Sequence, residues 1–118
     1  MLTAAVLAVS ACRGGRPNAE QIVVAGGDPH RGASEIQTYG CGVCHIIPSV
    51  RGADGVVGPP LTAWAERSYI GGELPNVPPN LITWIMDAPA VEPNVAMPNL
   101  GVSEAQARDI AAYLYTLR

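Results

Sequence analysis

The sequence predicts a small all-α domain in which short helices are joined by long loops. Three observations carry that expectation. Apolar residues recur at spacings of three and four, helix-capping residues stand where those stretches begin, and no stretch alternates with the period of two that a half-buried strand requires. The 13 glycines and 11 prolines among 118 residues supply the loops.

The chain begins with MLTAAVLAVSA, a short apolar run that ends at Cys12 and gives way to the polar RGGRPN. This reads as the end of an export signal. The run is too short to cross a bilayer, which takes roughly 20 apolar residues. Val9-Ser10-Ala11-Cys12 also looks like a bacterial lipobox, whose cysteine is acylated and becomes the mature N-terminus. Simple cleavage after Ala11, leaving a free Cys12, is the alternative. Both place the protein outside the cytoplasm, periplasmic or held by lipid on the outer side of the cytoplasmic membrane. Residues 13–27 read as a tether in which Ile22-Val23-Val24 has no partner strand. Residues 1–25 are therefore taken as signal and tether, and 26–118 as the folded domain.

Asp28 is a good N-cap, and Pro29 follows it where a missing N–H costs nothing, so a helix is expected over 29–39 with Gly32 and Ile36 on one face. Residues 46–60 are a loop. A brief helix is expected at Thr62–Ser68 and a longer one over 77–87, capped by Asn76 and ended by Pro89. Leu81, Ile82, Ile85 and Met86 give the latter an apolar stripe. Val91–Gly101, with Pro93 and Pro98, is irregular. Ser103 and Gln106 form a capping box before a last helix lined by Ala107, Ile110, Leu114 and Leu117.

Composition narrows the function. Aromatics are 5% of the chain, with no phenylalanine, which is thin material for a core in a domain of this size. A flat apolar cofactor would make up the deficit. The net charge is −3, all seven basic residues are arginine, and none cluster, which argues against nucleic-acid binding.

The chemistry concentrates in Cys41-Gly42-Val43-Cys44-His45. A redox dithiol of the thioredoxin kind sits in a βαβ unit, and no strands surround these cysteines. A structural zinc site needs four ligands in separated pairs, and the three cysteines and two histidines do not form them. C-x-x-C-H is the attachment signature of c-type haem. Two thiols three residues apart can each form a thioether to one porphyrin, and the following His45 can reach its iron. Cys12 is then left over, and acylation would account for it in an oxidising compartment.

Further motifs extend the pattern. A helix leads into C-x-x-C-H, Gly58-Pro59-Pro60-Leu61 follows, and Met97-Pro98 lies in a late loop before a C-terminal helix. Over residues 26–118 the chain thus resembles the bacterial class I c-type cytochromes, small monohaem electron carriers. The resemblance implies a small cytochrome c fold, three to five short helices and long loops around one covalently bound haem c. Cys41 and Cys44 then carry the thioethers, and His45 and Met97 are the axial iron ligands. Met86, in an apolar helical run, fits core packing better. His30 fits a solvated first-turn residue. His/Met ligation implies a moderately high potential.

The resemblance also implies that the Pro59 carbonyl accepts the second N–H of His45, and that Arg67 binds a haem propionate. Trp64, Tyr69 and Trp84 could bond a propionate or pack on the ring, with ordinary core packing as the alternative. The expected role is that of an electron-transfer protein, not an enzyme. It is expected to be a monomer that takes electrons from a quinol-oxidising complex or dehydrogenase and passes them to a terminal oxidase. Membrane contact would come only through the lipid on Cys12. With no lysine for a basic docking ring, the contact face is expected to be apolar with a few arginines. The alternatives are a dedicated cytochrome subunit of a periplasmic dehydrogenase or oxidase, and a haem-based gas sensor or peroxidase-like enzyme.

Overall fold

A computed structural model describes residues 20–118. Helix α1 spans Pro29–Thr38. The Asp28 carboxylate caps it, with Oδ1 accepting from the backbone N–H of His30 (2.8 Å) and Arg31 (3.2 Å). Helix α3 spans Glu104–Leu114 and begins with the expected capping box. Ser103 Oγ accepts from Gln106 N–H at 3.2 Å, and Gln106 Oε1 accepts from Ser103 N–H at 3.1 Å. That same Oε1 takes the Tyr39 hydroxyl at 2.7 Å, which ties the C-terminal end of α1 to the start of α3.

The two helices cross at Gly32. A Cβ there would lie 2.0 Å from the carbonyl oxygen of Asp109, so only glycine permits this approach. The crossing is locked by polar contacts around the buried Asp109 carboxylate, which accepts from Asp28 N–H (2.7 Å) and from Arg31 Nε (2.9 Å) and Nη2 (3.0 Å). The Arg31 guanidinium holds the Asp109 carboxyl below the usual carboxylate range. Ile36, Ala107, Ile110, Ala111 and Leu114 fill the space beneath. Each large apolar side chain buried in this way contributes about 1.5–3 kcal/mol.

Helix α2 spans Pro78–Val91 with a kink at Asp87 (φ −156°, ψ 77°). The N-cap is Val77, not Asn76 as the sequence suggests. Asn76 bridges other segments instead: Nδ2 donates to the carbonyls of Trp64 (3.1 Å) and Arg67 (3.0 Å), and Oδ1 accepts the hydroxyl of Tyr115 (2.8 Å). The regular helix stops at Asp87, as expected from Pro89. Its ring cannot follow the preceding turn, so the chain breaks at Asp87 and restarts, with Asp87 Oδ1 accepting from Ala90 N–H at 3.3 Å. Leu81, Ile82, Trp84, Ile85 and Ala88 are the buried face, while Met86 is only half-buried.

One element lacks a sequence signal. Strands β1 (Tyr69–Ile70) and β2 (Leu74–Pro75) form a small antiparallel hairpin, Tyr69 opposite Pro75 and Ile70 opposite Leu74. At two residues each they are too short to show alternation. The expected helix at Thr62–Ser68 contracts to a single 3-10 turn, Trp64–Glu66. Val24, read from the sequence as tether, is buried, and Arg118 Nη2 donates to the Glu20 carbonyl at 3.1 Å. The described residues thus form a small, mostly helical domain of three helices and long loops. No helix among them is long and apolar enough to cross a membrane. Cys12 lies outside the described residues.

Candidate functional site

The site grows from the turn that follows α1. Gly40 adopts a left-handed conformation (φ 68°) that stops the helix, and Cys41–Val43 form a single 3-10 turn. The N–H groups of Cys44 (3.2 Å) and His45 (3.1 Å) both point back to the Cys41 carbonyl. Cys41, Cys44 and His45 therefore share one turn of backbone. Both cysteines are half-buried free thiols. Burial pushes the Cys41 thiol above its ordinary value, and the neighbouring Cys44 adds to the effect. This is the reverse of the depressed thiol that an attacking dithiol needs.

Residues 46–61 wrap around this turn through backbone bonds. Gly55 N–H donates to the Gly42 carbonyl (3.0 Å), Gly58 N–H to Cys44 (2.7 Å), and Leu61 N–H to Ile46 (2.8 Å). The wrap lays Gly58 flat against the imidazole of His45. A Cβ on Gly58 would lie 2.3 Å from His45 Cε1 and 2.7 Å from Nδ1.

The next residue completes the arrangement. His45 Nδ1 lies 2.7 Å from the carbonyl oxygen of Pro59. A carbonyl only accepts, so Nδ1 carries the proton and Nε2 presents its lone pair. The ring is thereby oriented and its metal-binding nitrogen left available. No group of three or more His, Cys, Asp or Glu side chains among the described residues is placed to cage a bare metal ion.

Beyond Pro59 the loop meets Arg67. Its Nη2 donates to the carbonyls of Pro60 and Thr62, the latter at 3.1 Å, and its guanidinium carbon sits 5.1 Å above the Trp64 ring. Trp64 is buried, and its Nε1–H has no hydrogen-bond partner among the described residues. A buried donor without a partner costs about 1–3 kcal/mol.

The remaining sequence candidates fall elsewhere. Tyr69 is 62% exposed on β1. Trp84 is buried on α2 and packs beneath the hairpin turn at Gly71. No hydrogen bond among the described residues ties either to the Cys41–His45 turn. Met97 is half-buried against the core, between the exposed Ala96 and Pro98. Met86 lines a cleft of about 480 Å³ with Val24, Pro79, Ile82 and Arg108, a set that contains nothing from the Cys41–Leu61 segment.

These residues fit a c-type haem. Two free thiols and an imidazole with an available lone pair share one turn, glycine backbone packs on that imidazole where a side chain would collide with it, and the buried Trp64 indole N–H lacks an acceptor among the described residues. Sequence reasoning missed Asn76, whose carboxamide organises the Trp64–Arg67 turn through partners 9 and 12 residues away. Nothing local marks such a residue. Comparison with known protein families finds no match to this chain, and comparison with curated proteins finds none either.

Proposed function

We propose that the protein is an exported monohaem c-type cytochrome that carries single electrons. The observation that supports it most is the 2.7 Å bond from His45 Nδ1 to the Pro59 carbonyl, immediately after a Cys-x-x-Cys turn. It orients an otherwise rotatable ring and, in the neutral imidazole, places the proton on Nδ1 and the lone pair on Nε2. Cys41 and Cys44 would hold the cofactor. Each would do so through a thioether. His45 Nε2 and the Met97 thioether would hold its iron. Bound there, haem supplies one-electron cycling between Fe(II) and Fe(III).

The chain's own residues do the rest. The Pro59 carbonyl holds the His45 ring in one orientation through Nδ1. Leu61, Ile47 and Trp64, all buried, keep water from the wrapped loop. Val43, Val56 and Val57 are 76%, 83% and 75% exposed on and beside the Cys41–Val43 turn. They offer the apolar face on which a redox partner, a dehydrogenase or quinol-oxidising complex as donor and a terminal oxidase as acceptor, would dock. Acylated Cys12 would keep the carrier on the outer side of the cytoplasmic membrane.

The test is expression in a host that matures c-type cytochromes. The purified chain should carry one haem that survives denaturation and organic extraction, and Cys41→Ser with Cys44→Ser should abolish it. A chain without covalent haem sinks the proposal. Binding of carbon monoxide to the reduced native protein would show an open coordination position, and the gas-sensor or peroxidase-like reading would replace electron transfer.

A further inference from the structure

We infer that Arg67 is a positioning residue for His45, acting through the backbone of the Pro59–Thr62 loop. The inference rests on the proposed function, since it concerns how firmly the His45 ligand is held.

Pro59 and Pro60 have no N–H, so neither can be fastened by donating to a neighbour. Their carbonyls and the ends of the loop must be held some other way. Leu61 N–H donates to the Ile46 carbonyl at 2.8 Å, which fixes one side. The other side is held by Arg67 Nη2, which takes the carbonyls of Pro60 and Thr62, the residues that bracket Leu61. The peptide whose carbonyl accepts from His45 Nδ1 ends at the nitrogen of Pro60. Arg67 thus anchors the residue next to the acceptor.

Arg67 is itself held at both its side chain and its backbone. The flat face of its guanidinium lies over the Trp64 ring at 5.1 Å. Its own backbone carbonyl and that of Trp64 accept from Asn76 Nδ2, and Asn76 Oδ1 is held by the hydroxyl of Tyr115, a fully buried residue just past α3. A continuous set of contacts therefore runs from the C-terminal end of α3 through Asn76 and Arg67 to the Pro60 carbonyl, one residue beyond the carbonyl that His45 meets. A planar cation that stacks on an indole while one nitrogen bonds two carbonyls is work for arginine, and an ammonium cannot reproduce it.

This role differs from the one implied by the cytochrome resemblance, in which Arg67 is a counter-charge for a propionate. The two separate cleanly in Arg67→Lys, which keeps the charge and loses the planar fork, and Arg67→Gln, which loses both. The readout is solvent exchange of the His45 Nδ1 proton, followed by NMR in protein labelled with ¹⁵N-histidine. It is measured in the purified chain whether or not haem is attached, so failure of the functional proposal is seen separately, as missing covalent haem. In the positioning role both variants exchange that proton about tenfold faster or more, the range seen when groups supporting a metal ligand are removed. The reduction potential of Arg67→Lys also rises, because an imidazole whose Nδ1–H is less well accepted donates less to Fe(III). Wild-type exchange and potential in Arg67→Lys, with a change only in Arg67→Gln, would overturn the inference and make Arg67 a charge partner. Far-UV circular dichroism checks that both variants remain folded.

Discussion

Replacing Gly58 by alanine tests how tightly the loop closes on His45. The new methyl would lie 2.3 Å from Cε1, 2.7 Å from Nδ1 and 2.9 Å from Nε2 of the imidazole. Carbon–carbon contact is comfortable only beyond about 3.5 Å, so ring and loop must separate by roughly 1 Å or more. If the ring withdraws, its 2.7 Å bond to Pro59 is lost. If the loop withdraws, the 2.7 Å bond from Gly58 N–H to the Cys44 carbonyl is lost. One hydrogen bond costs about 1 kcal/mol, and forcing an extra methyl into a packed site costs about 1–3 kcal/mol. The expected loss is about 2–4 kcal/mol, which lowers Tm by roughly 10–30 °C in a domain of this size. Thermal unfolding followed by far-UV circular dichroism measures it. Gly101→Ala is the reference, because Gly101 has a positive φ (73°) but open space around it, and costs about 1 kcal/mol in backbone strain alone. If the two variants melt together, the close approach of Gly58 to His45 is refuted.

Further outcomes follow from other parts of the structure. Met97→Ala should abolish the weak red sulfur-to-iron charge-transfer band of the oxidised holoprotein, whereas Met86→Ala should keep it; the opposite result would make Met86 the ligand. Asp109→Ala removes the acceptor for Asp28 N–H and Arg31 and should cost about 2 kcal/mol in urea unfolding at neutral pH. Because Arg31 lowers the folded-state pKa of Asp109, its contribution is complete above the ordinary value of 3.8 and fades as pH falls below it. The variant should therefore show less acid destabilisation than wild type in that window. Burial pushes the Tyr115 phenol up to about 12, so its stabilising contribution is complete below pH 10 and lost as pH rises towards 12. Tyr115→Phe should flatten that alkaline fall in stability and cost about 1 kcal/mol below it, through the lost bond to Asn76. Val57→Glu should slow electron transfer with an apolar-faced partner several-fold without changing Tm, as measured by stopped-flow.

The ends of α1 and α3 were legible because their signals are local. Asp28 caps the two residues after Pro29, and Ser103 with Gln106 closes a box three residues long. The start of α2 was misread for the same reason: Asn76 has the chemistry of a cap, and only distant partners reveal that its carboxamide is engaged elsewhere. The hairpin at Tyr69–Pro75 was invisible because two-residue strands carry no period. In the candidate site, spacing alone was enough to single out Cys41, Cys44 and His45, since residues three and four apart share a turn. Trp84 illustrates the limit, because aromatic identity says that it is buried but not against what, and it lies under the hairpin.

The sequence by itself determined where α1 and α3 begin, that two thiols and an imidazole occupy one turn, and that long loops separate the helices. These are consequences of short-range geometry, which a chain carries wherever it folds. Only the tertiary structure decided which ring nitrogen of His45, Nδ1, meets the Pro59 carbonyl, the acceptor that the family resemblance implied. It also decided that Gly32 is where α1 meets α3, and that Arg67 grips Pro60 and Thr62. Each is a contact between segments brought together by packing. For Gly32 and Arg67 the residue types were readable in advance, but these partners were not.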